Sequence, residues 1–225
     1  MDLLENISLQ EKKIKKIRKI IINWEKLNYE SFPWRETGNS FHALIAEMML
    51  QRTKAEQVLS VYIDFTVRYH NLREASQADK NEIRELFQPL GLRWRTEKII
   101  ELIELLSTDN LIPQSYNELV KLPGVGDYIA SAYLSIHKNE CKSIIDSNAV
   151  RLWGRVLGIK TNSETRRKKY FKNIIGRITP QKECRIFNLG VLDLSMKVCK
   201  KQPLHNFCPL NRICEYYKAM KSKDS

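Results

Sequence analysis

Apolar positions recur every three to four residues along most of this chain, and no stretch is strand-rich. Residues 8–27 read as a basic amphipathic helix with Ile14, Ile17, Ile20, Ile21 and Trp24 at helical spacing. "SFPWRETGNS" is a loop broken by Pro33 and Gly38. Residues 41–57 predict a buried helix with Leu44, Ile45, Met48 and Met49 on its apolar side, and 60–72, 80–88 and 95–107 predict three more, with "QPLGLRW" interrupting the series. Ser115 and Glu118 form a capping box at the start of a helix that runs into "LPGVGDYIASAYL". A new helix starts near Asp127, another near Ala149, and a later one takes Thr179 as N-cap and Pro180 as its first residue. The pattern predicts an all-α protein without repeats or low-complexity linkers.

Composition narrows the class. A chain of 225 residues can bury a core as one domain or two intimate lobes, and 43% apolar with 28% charged residues is an ordinary globular mixture. The longest apolar run, "ALIAEMML", is short and interrupted by Glu47, and the N-terminus lacks a signal peptide, so no membrane partner and a cytoplasmic location are expected. The net charge of +12 concentrates in "KKIKKIRK", "RRKKYFK" and "KVCKK". That excess predicts a polyanion partner, with solvated helix faces as the plain alternative. Five cysteines in such a chain do not predict disulfides; Cys184 shares a helical stripe with Phe187 and Val191 and reads as core.

The hairpin at 122–127 carries the first candidate chemistry. Gly124 and Gly126 can take backbone angles closed to other residues, Val125 can pack inward, and the outward amides would form a cup for an anion such as a DNA phosphate. A purely structural turn between helices is the competing reading. The string "LPGVGDYIASAYLSI…SIIDSNAVRLWGRV" resembles the helix-hairpin-helix DNA glycosylases of the endonuclease III superfamily. "FPWRETGNSFHALIAEMMLQRTKAEQV" resembles a segment shared by adenine and thymine mismatch glycosylases, and "PLGLRWRTEKI" the helical unit that follows it. The resemblance runs over roughly residues 30–217. It implies two helical lobes, 30–145 with the hairpin and 1–29 plus 146–225, closed by a Cys-rich loop.

The same resemblance implies the site residues. Asp146, at the end of the loop after the hairpin motif, is the expected catalytic carboxylate; an N-cap role for the helix near Ala149 is compatible with that. Glu47, on an apolar helix face, takes the place of a pocket glutamate, against a simpler salt bridge with Arg52 or another cation. Gln51 and Arg52, with Gly124, Val125 and Gly126, are the expected DNA contacts. Tyr128 stands where bifunctional members carry a lysine, adenine glycosylases a serine and thymine or uracil mismatch glycosylases a tyrosine, and a phenol forms no Schiff base. The implied activity is monofunctional removal of thymine or uracil opposite guanine in double-stranded DNA, by a monomer associated with the nucleoid. An adenine glycosylase acting opposite oxidised guanine and a non-catalytic DNA-binding module are the rivals.

"CKKQPLHNFCPLNRICEYY" resembles the iron–sulfur loop of these enzymes with two departures: His205 replaces the second cysteine, and Cys199 lies one residue closer than usual. Cys199, His205, Cys208 and Cys214 could ligate a [4Fe–4S] cluster or zinc, or form a degenerate loop without metal.

Overall fold

The structure is a computed structural model that describes residues 11–109 and 111–222, so Ser8 to Gln10 of the expected first helix lie outside the described residues. Every regular element among the described residues is helical, and no helix there is long and apolar enough to cross a membrane. The chain divides into two compact units, Met1–Tyr29 with Asn139–Ser225, and Glu30–Lys138. Helix α1 (Glu11–Asn28) belongs to the first. The Glu30–Lys138 unit follows with α2 (Pro33–Glu36), α3 (Ser40–Met49), α4 (Ala55–Arg68), α5 (Leu72–Gln77) and α6 (Lys80–Phe87). It continues with α7 (Arg93–Asp109), α8 (Tyr116–Leu119) and α9 (Asp127–Ala132), which ends in a π-type turn, Tyr133–His137. The chain returns to the first unit with α10 (Ser147–Leu157), α11 (Lys169–Ile178), α12 (Cys184–Lys197) and α13 (Glu215–Lys221).

In the Glu30–Lys138 unit, α3 is the central element. Every residue from Phe41 to Met49 is buried, and the Asn39 side chain caps the helix by accepting from the amides of Phe41 and His42 at 3.0 and 3.2 Å. Phe65, Phe87, Ile99, Leu102 and Tyr133 complete the core around it. The expected single helix over 41–57 is in fact two. It stops at Met49, and α4 starts at Ala55 after a turn in which Arg52 takes φ +55°. The periodicity continues across that break, so only the tertiary partners of the turn reveal it. At Ser115 the hydroxyl accepts from the Glu118 amide at 3.3 Å as predicted, but the Glu118 carboxylate takes the Ser115 hydroxyl at 2.6 Å.

In the other unit, α1 lays its predicted stripe of Ile14, Ile17 and Ile21 against α12 and α11, over Trp153, Phe171, Phe187 and Leu194. Thr179 is not an N-cap: it closes α11, its hydroxyl donating to the Ile175 carbonyl at 2.9 Å, and α12 starts only at Cys184. A Pro at 180 ends one helix here and does not open the next. Residues 139–145 pack with this unit, although the sequence placed them with the hairpin lobe. The Asn188 side-chain amide donates to the Lys142 carbonyl at 2.8 Å, Ser143 meets Thr179 at 2.8 Å, and Cys141 pairs with Cys184. That disulfide overturns the expectation of none. The two cysteines are 43 positions apart in sequence, and only folding brings their Cα atoms to 5.7 Å, within bridging range.

The approach of α1 to α12 is set by Gly190. A Cβ there would meet Ile21 Cγ2 at 2.8 Å and the Ile21 carbonyl oxygen at 3.1 Å. Gly190→Ala must therefore push two helices apart and should cost about 1–3 kcal/mol, read as a lower midpoint in thermal unfolding. An unchanged midpoint would show that the helix pair has slack.

Candidate active-site residues

The turn after α3 is built on one buried guanidinium. Arg95, 1% exposed, donates through Nη1 to the carbonyls of Met49 (2.7 Å) and Gln51 (2.6 Å) and to Thr53 Oγ1 (2.8 Å), and through Nη2 to the Leu90 carbonyl (3.1 Å). A helix end leaves carbonyls without partners, and here an arginine from α7 takes them. Burial pulls the Arg95 pKa below its ordinary value. Held this way, Gln51 donates its side-chain amide to the Gly124 carbonyl at 3.2 Å, joining the turn to the hairpin, while Arg52 stays exposed with φ +55°. A left-handed arginine costs about 1–2 kcal/mol, and such strain concentrates at functional sites. Sequence reasoning included Arg95 in a motif without assigning it a role.

In the hairpin, Gly124 needs to be glycine twice over: φ is +75°, and a Cβ would sit 2.8 Å from Met48 Cε and 2.9 Å from Lys98 Cβ. Val125 is buried as expected. Gly126 departs from expectation. Its φ of −98° is open to any residue, and a Cβ would meet nothing within 4 Å, so what glycine gives there is a bare, exposed backbone. Asp127 accepts the Tyr116 hydroxyl at 2.8 Å, and burial together with that carboxylate pushes the Tyr116 pKa to about 12. Tyr128 lies on the first turn of α9, half-buried against the core of its unit.

Glu47 does not pair with Arg52. Its Oε1 lies 3.1 Å from Nε2 of His137, and both side chains are 3% exposed. His137 closes the π-type turn, and no sequence motif pointed to it. A lone imidazole 90 positions away carries no signal until the fold brings it to α3.

Asp146 belongs to the other unit and is the N-cap of α10. Oδ1 accepts from the Ala149 amide at 2.6 Å, and Oδ2 from the Asn148 side chain at 2.9 Å. Arg151 holds Asn148 in turn, donating to its Oδ1 at 3.0 Å while reaching the carbonyls of Cys199 and Ser195, each at 2.8 Å. The carboxylate is thus fixed by its own helix and stays half-buried.

Cys199, His205, Cys208 and Cys214 line one cavity of about 10 Å³, room for about one water molecule. Arg155 from α10 reaches the Cys199 sulfur at 3.4 Å and the carbonyls of Lys200 and Lys201 at 2.6 and 2.9 Å. The Cys214 thiol donates back to the Arg155 carbonyl at 3.4 Å. His205 stacks on Tyr217 with ring centroids 4.6 Å apart, and burial pushes the Cys208 thiol up to about 11. No three His, Cys, Asp or Glu side chains among the described residues are placed to hold a metal ion.

Residues 45–177 match the family model described as "HhH-GPD superfamily base excision DNA repair protein". The chain is 36% identical to a thymine-DNA glycosylase of Aeropyrum pernix over 93% of its own length and 97% of the relative's. It is 33% identical to a thymine/uracil-DNA glycosylase of Pyrobaculum aerophilum, over 90% and 92%. The structure of a thermostable thymine-DNA glycosylase superimposes with a TM-score of 0.85 at 29% identity, covering 93% of this chain and 98% of that one.

The Asp146 geometry separates its two duties. Asp146→Ala removes the cap and should cost about 1 kcal/mol, a fall of about 2–4 °C in unfolding midpoint for a chain of this size. Asp146→Asn keeps an acceptor for the Ala149 amide and should unfold close to the parent. Equal losses in both variants would show that the charge, not the cap, supports the helix.

Proposed function

Because the chain belongs to the HhH-GPD superfamily of base excision DNA repair proteins, we propose that it is a mismatch DNA glycosylase that hydrolyses the N-glycosidic bond of thymine or uracil opposite guanine and leaves the strand intact. The observation that carries the monofunctional half is Tyr128. It sits on the first turn behind the hairpin, where the resemblance puts the lysine of strand-cleaving relatives, and a phenol cannot attack the sugar as an amine. The thymine and uracil specificities in the names of its relatives support the choice of base.

The reaction sets the remaining roles. A base within the duplex must be turned out of the stack, which costs less at a mismatch. As the base departs, the sugar gains positive charge, and a fixed carboxylate stabilises it or orients the attacking water. Asp146 supplies that carboxylate, held by the Ala149 amide and Asn148. Glu47 meets the extruded base as a hydrogen-bond or proton partner. Gln51, Arg52 and the Gly124–Gly126 backbone contact the DNA, to which the +12 charge draws the protein as a monomer.

The tail enters this reading as a loop tied to α10 by Arg155, in which Cys199, His205, Cys208 and Cys214 would hold a structural [4Fe–4S] cluster. The guanidinium tethers the loop through three contacts, the four side chains line one cavity, and the stack of His205 on Tyr217 engages the ring face and leaves its nitrogens for ligation. Protein purified without oxygen should be yellow-brown with iron and sulfide in equal amounts, and Arg155→Met should speed amide exchange in residues 199–208. One zinc per chain would reassign the ligands, and colourless, metal-free protein would leave the loop as a brace organised by Arg155 alone.

The activity is tested with duplexes carrying G:T, G:U, A:oxidised-G or A:T. The expected result is breakage at G:T and G:U that appears only after alkali, with no adduct trapped by borohydride. Asp146→Asn should slow base removal by about 10²–10³-fold, as losing one preorganised electrostatic group does elsewhere, with duplex binding retained. A trapped adduct would sink the monofunctional assignment, and a preference for A:oxidised-G would reassign the base.

A further inference from the structure

We propose that His137 is the positioning residue for Glu47: it donates from Nε2 to Oε1 and so leaves the other carboxylate oxygen fixed and available to a nucleotide. The inference rests on the reading above that Glu47 meets the extruded base.

Glu47 lies in a helix buried from Phe41 to Met49, where a carboxylate without a partner is strongly disfavoured. The nearby cation on its own turn, Arg52, points outward with φ +55° and does not meet it. His137 meets it instead, at 3.1 Å. The proposed tautomer has the proton on Nε2, from which it donates to the carboxylate. Among the described residues the second oxygen, Oε2, makes no hydrogen bond. One oxygen is anchored and the other has no partner within the protein.

The imidazole is itself held in place. It ends a π-type turn, a widened turn that recurs at functional sites. The ring lies 6.1 Å from that of Tyr133, four residues earlier. The next residue, Lys138, donates to the Ser40 hydroxyl and lies 5.5 Å over the Tyr133 ring, which fastens the end of the turn to the start of α3. Stability alone does not account for such a pair, because replacing a buried ionic or polar pair with apolar groups of similar shape is often neutral or stabilising. A carboxylate kept in a defined orientation is what the arrangement provides.

The test compares Glu47→Gln, His137→Gln, His137→Asn and His137→Phe in single-turnover base removal from a G:T duplex, together with duplex affinity. Glutamine places an amide nitrogen where Nε2 lies, whereas asparagine falls short and phenylalanine keeps only the ring. His137→Phe and His137→Asn should lose about 10–100-fold in rate, the size seen when a supporting hydrogen-bond partner is removed from a working group, with affinity unchanged. His137→Gln should stay near the parent rate, and adding His137→Phe to Glu47→Gln should cost nothing further. If Glu47→Gln is slow while both His137→Asn and His137→Phe run at the parent rate, the positioning role fails and the reading of Glu47 stands. If Glu47→Gln runs at the parent rate, the reading of Glu47 fails and takes this proposal with it. Should His137→Phe not fold, equal rates for the glutamine and asparagine variants overturn the proposal by themselves.

Discussion

One buried guanidinium decides the shape of the Glu30–Lys138 unit around its candidate chemistry. Arg95 is 1% exposed and engages Met49, Gln51, Thr53 and Leu90. Hydrogen bonds to a charged group contribute about 1.5–3 kcal/mol each, which offsets the desolvation of the charge and fixes where α3 stops. Everything in the turn follows from that stop. Gln51 reaches the hairpin, Arg52 is held in the left-handed region, and Gly124 must come close enough to Met48 that no Cβ fits between them.

The two candidate carboxylates are held by different means, and the difference matches their proposed work. Asp146 is fixed by the start of its own helix, through the Ala149 amide and Asn148. Such a group suits a charge that must persist as positive charge develops on a sugar. Glu47 sits in an apolar helix and depends on a side chain from another element, His137. That contact gives the carboxylate a fixed direction, which suits a group that meets a base through hydrogen bonds.

Helix α10 joins the Asp146 cap to the Cys-rich tail within one unit. Arg151 supports Asn148 at one end and reaches the Cys199 and Ser195 carbonyls with its remaining nitrogens, and Arg155, one turn later, clasps the loop itself. The tail thus supports the carboxylate through peptide carbonyls and two arginines. That support requires the loop to be ordered, whatever orders it.

The sequence by itself determined the helical class, the hairpin, the stripe of α1, and the identities of Asp146, Glu47 and Tyr128 as candidates. These depend on local periodicity, on glycine placement and on ordered motifs, all of which are written in neighbouring residues. Tertiary structure alone decided the rest. The break in the 41–57 helix depends on an arginine more than forty positions away, the Cys141–Cys184 pair on a separation of 43, and the partner of Glu47 on an imidazole 90 positions downstream. In the tail, the sequence preserved the outline of a ligand set, but whether four side chains can surround a metal depends on distances that spacing does not encode. A local pattern reports what a residue prefers, whereas a buried charge reports what the whole fold has arranged for it, and only the second fixes the chemistry.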